Sequence, residues 1–472
     1  MSDKPVVVRF APSPTGQVHI GNIRVAIFNW LFARHNCGKF LLRIEDTDSE
    51  RSTQEATQTI IDTMNWLKLW YDNNDDVYYQ SEYKTDHLNA VTKLMEQGDA
   101  YTEDGVVKFR IPREATDIPE IKHVGDKRCV VYRDLVKGEM KKPLDDIKDF
   151  VIVRSDGSPV FHIANVVDDI EQEVTHVIRG DDHVENTFKH ILLFRRLGAE
   201  VPQYAHLPMI VNADGKPYSK RDGDAFVGDF KDKGFLPDAL VNYLALLGWS
   251  PKDGMEYLDR AELISRFELE RCHCSPAKMD MRKLINLNGK YIADMGNYEF
   301  FKLCKEYFNF YGEKEDSDWM LDFLCSTNNR NVCTLMQSRL KTFEGIKDWS
   351  YFFTVPDYMG LYNSSADFVK NFEKLGGGFD EDFDIGVFLD RLEEIFSKSC
   401  FEIPCLEIAV GYLTEAMYKM KPNSLNQRIR FVVTATDKGA GLFETLNLIG
   451  KEGTLERIRK FRDFYEKVPV EL

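Results

Sequence analysis

The 472-residue chain is too long for one hydrophobic core and divides, by length alone, into about three to five compact units. Its formal net charge of −16 argues, taken alone, against a nucleic-acid partner, because phosphate binding normally leaves a basic footprint. Nine cysteines, an odd number with no C-x-x-C pair, point to a reducing compartment and argue against a disulfide framework. The most apolar run, Ala239 to Trp249, is too short for a bilayer and is interrupted by Asn242. The first strand-like run begins within a few residues of Met1 and leaves no room for a signal peptide, so a soluble, cytoplasmic protein is expected.

In chain order, Val6, Val7 and Val8 form a β-branched run that reads as a buried parallel strand. Pro12, Pro14 and Gly16 then forbid regular structure, and after Gly21 the residues Ile23, Ile27, Trp30 and Leu31 recur at helical spacing. The helix start offers free backbone N–H groups and the positive end of a dipole, with His19 and Asn22 beside it as donors, an arrangement that holds a polyphosphate. Alone, a histidine in a Pro/Gly loop is an ordinary surface feature. The apolar run Phe40 to Leu42 ends in RIEDTD, which leaves Glu45, Asp46 and Asp48 at the carboxyl end of a second strand.

From about Asp99 to Ser158 the pattern becomes irregular and strand-rich: Val106, Lys108 and Arg110 alternate, and VVYRDLVKGEM reads as strand and turn. This stretch reads as an insertion, after which the α/β pattern resumes at Val160 with VFHIANVVDD and VIRGDD. A helix follows through Phe188, Ile191, Leu192 and Arg195. His206 to Val211 is strand-like and leads through an Asp214-Gly215 turn to YSKRDG, Tyr218 to Gly223. FLPDALVNYLALLGW reads as a helix with Pro237 in its first turn and Gly248 at its end. From about Phe301 the pattern is mainly helical, and Gly376 to Gly378 is the nearest approach to a linker.

Four of these segments put charged or glycine-rich residues where a strand ends or a helix begins, the place where an open α/β sheet binds ligands. They also carry a resemblance. RFAPSPTG followed by HIGN, then RIEDTD, VIRGDD and YSKR in that order, resembles the motifs of class I aminoacyl-tRNA synthetases in the form used by glutamyl-tRNA synthetases of bacterial type. NGKYI at Asn288 to Ile292 and RFVVTATDKGAGLFETLNLIGKEGTLERIR near the end resemble the stem-contact and anticodon-binding parts, so the likeness covers nearly the whole chain.

The resemblance implies a multidomain α/β protein. Its Rossmann-type catalytic domain would occupy residues 1–98 and 159–215, with an inserted acceptor-end-binding subdomain at 99–158. A stem-contact domain with the lysine loop would follow at 216–300, then helical anticodon-binding subdomains at 301–375 and 376–472. It implies activation of L-glutamate by ATP, with Mg²⁺, and transfer to the terminal adenosine of tRNA(Glu) by a monomer. By motif position, His19, Gly21, Asn22, Asp182 and Lys220 would bind ATP, with His19, Lys220 and Arg221 acting in the chemistry. Arg9, Ser13, Glu45, Phe161, Asn165 and Arg179 would bind glutamate, the two arginines reading its side-chain carboxylate through their planar forks. Arg9 and Glu45 could also pair with each other when no substrate is bound. Arg339, Arg430 and Leu442 would contact the anticodon, arginine being suited to base edges and stacking.

The chain departs from the family pattern in three places. Pro217 replaces the first lysine of KxSKR, with Lys216 one residue earlier. Phe161 stands where relatives often have tyrosine. The stretch after Tyr101 has none of the cysteines with which many relatives bind zinc, and Cys272-His273-Cys274 has no second cluster at ligand spacing, so no metal site is expected. Basic faces for tRNA are available around Lys137, Lys141 and Lys142 and along Lys451, Arg457, Arg459, Lys460 and Arg462, although both stretches also fit solvated helix faces. The alternatives are a non-discriminating enzyme that also charges tRNA(Gln), a glutaminyl-tRNA synthetase, a short paralogue that modifies a tRNA base, and a catalytically dead binding protein. Full length argues against the paralogue, the helical C-terminal half against most glutaminyl enzymes, and His19 with Lys220 against a dead one.

Overall fold

The computed structural model describes residues 4–47, 52–312, 329–376, 384–418 and 421–468. The chain forms two compact units, Met1–Leu287 and Asn288–Leu472.

In the first unit the valine run becomes β1 (Val7–Phe10), and helix α1 (Ile20–His35) follows it. Buried residues occur all round α1, from Ile20 and Arg24 to Asn29 and Leu31, so it is a core helix rather than a surface one. β2 (Lys39–Ile44) runs parallel to β1 with Val8 opposite Phe40. Helix α2 (Gln54–Trp66), capped by Thr53, leads to β3 (Tyr78–Tyr79), which pairs with the end of β2.

Helix α3 (Lys84–Glu96) leads into the strand-rich stretch, which contains β4 (Ala100–Glu103), β5 (Val106–Phe109), β6 (Ile121–Val124), β7 (Lys127–Asp134), β8 (Gly138–Pro143) and β9 (Phe150–Val153). β4, β5 and β9 form one antiparallel sheet, while β7 pairs antiparallel with β6 and β8. Helices α4 (Phe161–Glu171) and α5 (Val184–Arg196) share their core with this stretch: Phe109, Val130, Tyr132 and Phe150 pack in one cluster with Ile163, Val166, Phe188 and Ile191.

β10 (His176–Gly180) lies between the helices in sequence and pairs in parallel with β11 (Gln203–Leu207). Thr175 stitches this pair to β1: its Oγ1 accepts from the Val7 N–H at 2.9 Å, and its own N–H donates to the Val7 carbonyl at 2.9 Å. The chain thus steps from β1 to β2 in one direction and to β10 in the other, and the carboxyl ends of these strands open on a crevice at the point of reversal. On its far side β11 meets β7, with Tyr204 opposite Asp134.

The expected single strand from His206 to Val211 is two strands. Pro208 ends β11, its carbonyl accepting from Arg24, and β12 (Ile210–Val211) pairs instead with β13 (Ala277–Lys278). Helix α6 (Val227–Asp232) and then α7 (Pro237–Leu246) follow the lysine loop, with Pro237 in the first turn of α7 and Gly248 beyond its end at φ +107°, where a side chain would be strained. Helix α8 (Arg260–Arg266) opens with a capping box between Asp259 and Glu262.

The second unit is helical among its described residues, with long elements at Asn297–Gly312, Ile385–Lys398, Pro422–Thr434 and Leu442–Tyr465. Phe388, Leu392, Ile429, Val432, Ile458 and Phe461 form part of its core. Gly377 and Gly378 lie outside the described residues, as does Asp48.

One expectation from composition is overturned: Cys400 and Cys405 are joined by a disulfide, their Cα atoms 6.1 Å apart. The turn that enters helix Ile403–Tyr412 brings together two cysteines that lack the C-x-x-C spacing. Several residues of the expected basic faces are engaged within the chain. Lys137 pairs with Asp181 at 3.0 Å and Lys142 with Glu185, Arg459 reaches Glu393 at 2.7 Å, and Lys460 reaches Glu456 at 3.1 Å. Arg457 is buried and donates to the Tyr351 carbonyl at 2.7 Å and the Thr354 carbonyl at 3.0 Å, which makes it a structural residue. Among the described residues no helix is long and apolar enough to cross a membrane.

Candidate active site

The crevice at the strand ends is a cavity of about 610 Å³. It is lined by Arg9, Ser13, His19, Gly21, Asn22, Glu45, Phe161, Asn165, Arg179 and Asp182, so the nucleotide and amino-acid residues expected from the motifs converge there apart from the lysine-loop pair.

On the side of the cavity formed by the start of α1, His19 is the N-cap of the helix, and its Nδ1 accepts from the Gly21 N–H at 3.1 Å. The proton of the neutral imidazole therefore sits on Nε2. Burial pushes the His19 pKa down, against a hydrogen bond to the Tyr218 backbone, and so favours that neutral donor. The free backbone donors expected at this helix start are engaged: the Ile20 N–H donates to the Ala225 carbonyl at 2.9 Å, and those of Asn22 and Ile23 to the His19 carbonyl at 3.0 and 3.1 Å. What the start of α1 offers is its dipole and the exposed side chain of Asn22. At the end of β10, Asp182 folds back so that a Cβ at Gly180 would stand 2.4 Å from its Oδ1.

Lys220 and Arg221 are not among the lining residues. Both are exposed, and Lys220 Nζ rests 4.7 Å from the centre of the Phe226 ring, whose edge meets the His19 ring at 5.9 Å. The loop is tied by Asp222, which accepts from the Ser219 N–H and Oγ at 2.9 Å each and from Asn212 at 2.7 Å. Lys216 is exposed on the preceding turn.

Around Arg9 and Glu45 the charges form a network. Arg9 donates from Nε to Asp169 Oδ1 at 3.0 Å, and Arg43, fully buried, reaches the same oxygen at 2.7 Å. The suggested Arg9–Glu45 pair does not form: Glu45 Oε1 is held instead by Arg43 at 3.3 Å and by Asn165 Nδ2 at 2.8 Å. Burial pushes the Glu45 carboxyl up, with Arg43 and Arg9 opposing. Asp168 accepts from the Tyr78 hydroxyl at 2.9 Å, from Gln80 at 2.5 Å and from His87 Nε2 at 2.6 Å.

Arg43, Asp168 and Asp169 escaped the sequence reading. The signal was present, since two successive acids in the apolar helix FHIANVVDDIE cannot be buried without partners.

Arg179 differs from Arg9. It is 6% exposed, and no carboxylate lies within ion-pair distance of it among the described residues. Its Nη2 donates to Thr187 Oγ1 at 2.7 Å and its Nε to His206 Nε2 at 3.3 Å, while its face covers the Tyr204 ring. Burial lowers even its pKa. The wall beside it is aromatic and neutral: Phe161 packs against His183 and His190, and burial followed by the nearby Arg179 charge pushes His183 down to about 4. Phe161 brings no hydroxyl to this wall.

In the second unit Arg339 and Arg430 flank Tyr351 and adjoin two linked grooves. One, of about 1390 Å³, contains Arg339, Lys347 and Lys438, and the other, of about 530 Å³, contains Arg430 and Leu442; they share Asp437, Lys438 and Gly439. Arg430 Nη1 is buried without a hydrogen-bond partner. The NGKYI motif meets the chain just after Arg339. Buried Asn288 donates to the Lys341 carbonyl at 2.5 Å, and a Cβ at Gly289 would stand 2.6 Å from Lys341 Cδ.

In the Cys272-His273-Cys274 triplet only the first residue packs inside, and His273 and Cys274 are exposed. Cys272 is buried, its thiol pushed up to about 12 by burial, and His273 Nε2 lies 3.1 Å from Ser250 Oγ. Among the described residues no group of three or more His, Cys, Asp or Glu side chains is placed to hold a metal ion.

Known proteins share this architecture. The family described as tRNA synthetases class I (E and Q), catalytic domain, matches residues 5–108 and 120–286, and an anticodon binding domain matches 299–462. A protein named glutamate–tRNA ligase 2 from Thermoanaerobacter pseudethanolicus is 34% identical, covering 98% of this chain and 99% of that protein. A glutamate–tRNA ligase from Neisseria meningitidis is 36% identical over 96% of this chain and 99% of its own. The crystal structure of a glutamate tRNA ligase from Elizabethkingia meningosepticum in complex with its amino acid superposes with a TM-score of 0.77 at 26% identity, covering 98% and 99% of the two chains. With its crevice at the strand reversal and its helical second unit, the chain belongs to the class I tRNA synthetases of the E and Q group.

Proposed function

We propose that this chain joins L-glutamate to tRNA(Glu), first forming glutamyl-adenylate from ATP and then transferring the glutamyl group to the terminal adenosine. The observation that carries this reading is Arg179, a buried guanidinium without a carboxylate partner on the wall of a cavity that also presents Glu45 and His19. A substrate side-chain carboxylate supplies the missing charge. Glutamine leaves the guanidinium poorly paired and is rejected on that account. Glu45, held by Arg43 and Asn165, takes the substrate ammonium.

The first step is an in-line attack of the α-carboxylate on the α-phosphorus of ATP and uses no protein nucleophile. What the chain supplies is position and relief of the charge that grows on departing pyrophosphate. His19 Nε2–H and the start of α1 serve one side of the phosphates. Lys220 serves the other after leaving the Phe226 ring and swinging with its loop. Magnesium neutralises phosphate charge when bound; the donor set fits an ion held through phosphates and water, with Asp182 the nearest acid on the nucleotide side, rather than in a protein cage. Residues 99–158 receive the acceptor end, and residues 216–300 carry the lysine loop and the stem contact. The helical subdomains, 301–375 and 376–472, read the anticodon through Arg339, Arg430 and Leu442. The protein works as a cytoplasmic monomer, without zinc.

Exchange of pyrophosphate into ATP, measured with glutamate, glutamine or aspartate and with or without tRNA, tests this reading. Exchange and charging specific to glutamate are expected. A preference for glutamine would assign the protein to the other branch of its group, and no exchange with any amino acid would make it a binding protein.

A further inference from the structure

Behind Arg179, at the end of β11, lies a buried relay that the chemistry above does not use. His206 is fully buried, and its Nδ1 stands 2.6 Å from Asp134 Oδ2. Its Nε2 lies 3.3 Å from Arg179 Nε and 3.0 Å from Thr187 Oγ1. A guanidinium N–H can only donate, so Nε2 must be the unprotonated nitrogen and Nδ1 must carry the proton that Asp134 accepts. Burial holds the imidazole neutral. On Asp134, burial is outweighed by the His206 hydrogen bond and by backbone donors, which keep it an aspartate.

Asp134 is itself fixed from the other side. Its Oδ1 accepts from the N–H groups of Val136 at 2.9 Å, Lys137 at 2.8 Å and His206 at 3.3 Å. Three backbone donors on one oxygen and an imidazole donor on the other leave the carboxylate no second orientation.

We infer that Asp134 and His206 are positioning residues for substrate recognition: by fixing the His206 tautomer they aim the Arg179 guanidinium at the side-chain carboxylate of the amino acid. The inference rests on the reading of Arg179 given above. It places one determinant of amino-acid binding at the end of β7, in the stretch inserted between the halves of the catalytic fold. The turn after Asp134 also carries Lys137, which is paired with Asp181 on the strand end next to Arg179.

The substitution Asp134→Asn separates positioning from bulk. Three backbone N–H groups require an oxygen at the Oδ1 site, so the new amide must point its NH₂ at His206 Nδ1. That forces the imidazole proton onto Nε2, where it faces the Arg179 Nε–H. The KM for glutamate in tRNA charging by the full-length protein is expected to rise about tenfold to a hundredfold, the effect of losing a hydrogen bond to a charged group, while the KM for ATP stays within about twofold. Nitrogen-15 spectra of the imidazoles report the tautomer directly, with Nδ1 protonated in the wild type and Nε2 protonated in Asp134→Asn. Because the wild-type spectrum needs no variant, a protonated Nε2 there would overturn the inference even if the variant failed to fold. Arg179→Ala is measured in parallel. Lost glutamate dependence in Arg179→Ala with a normal glutamate KM in Asp134→Asn overturns this inference alone, whereas a normal glutamate KM in Arg179→Ala overturns the pocket reading and this inference with it.

Discussion

Arg9 and Arg179 line one cavity, but among the described residues Arg9 is neutralised by Asp169 at 3.0 Å and Arg179 by no acid. The two arginines assigned alike by motif are therefore unequal: one is built into the framework, and the other, on the function proposed above, keeps its charge for a ligand. Replacing Arg179 with Met, which conserves much of the volume, should leave unfolding stability unchanged or raised, since an isolated buried charge is removed. The same change should weaken glutamate-dependent kcat/KM by about 2–5 kcal/mol. Steady-state kinetics near wild type would take Arg179 out of the pocket.

Asp169 is the opposite case. Its carboxylate serves both Arg9 and Arg43, and although burial works to raise its pKa, those two charges hold it below the usual carboxylate range. Asp169→Ala takes from Arg9 its ion-pair partner and from Arg43 one of three, the others being Glu45 and Asp168, and should cost about 3–5 kcal/mol in urea unfolding. A loss below about 1 kcal/mol, the range of exposed pairs, would mean that solvent reaches this network.

The histidines near Arg179 make stability depend on pH. Burial, then neighbouring positive charge, lowers His162 and His183 from 6.5 to about 4 and also holds His190 well below 6.5. A histidine depressed in the fold takes up its proton more readily when unfolded. Its contribution is therefore complete above pH 6.5 and is lost as the pH falls from 6.5 towards 4. Denaturant midpoints should drop between pH 7 and pH 5, and His190→Gln should flatten the slope; equal midpoints at both values would contradict the neutral, buried assignment.

Lys220 rests on Phe226 outside the cavity, so its part in the reaction requires the loop to move. Lys220→Ala should depress adenylate formation by about a hundredfold or more, because charge on pyrophosphate develops only in that step. Transfer from preformed glutamyl-adenylate to tRNA should survive. Single-turnover measurements of the two half-reactions decide the matter, and equal loss in both would assign Lys220 to tRNA or general binding instead.

Arg339 is exposed at one edge of the groove that also contains Lys347 and Lys438. If it reads the third anticodon base, cytosine in glutamate tRNA against guanine in glutamine tRNA, the contact is worth about 1–3 kcal/mol of preference. Arg339→Gln should narrow the gap in charging between the two tRNAs and leave the glutamate KM alone. Comparable charging of both tRNAs by the wild type would make the enzyme non-discriminating.

Much of this molecule was legible in the order of its residues. The run from Val7 through Pro12 and Pro14 to Ile23 dictates strand, loop and core helix through β-branching, forbidden backbone and 3.6-residue spacing, all of them local effects. The motif residues at strand ends could likewise be named in advance, since the carboxyl edge of a parallel sheet is where the fold leaves room for ligands. Pairing was not legible, because it depends on distant chain. Nothing in RIEDTD tells Glu45 to bind Arg43 rather than Arg9, and nothing in VVYRDLVKGEM places Asp134 against His206, 72 residues away. The same limit applies to Cys400 and Cys405, joined by a turn rather than by a recognisable spacing, and to Arg457, whose basic helix face hides a buried structural contact. Local sequence settled the elements and the chemical inventory of the site. The tertiary structure settled which charges are neutralised and which, among the described residues, is left without an acid beside it, because burial removes water and leaves each ionic group dependent on the partners that distant segments bring to it.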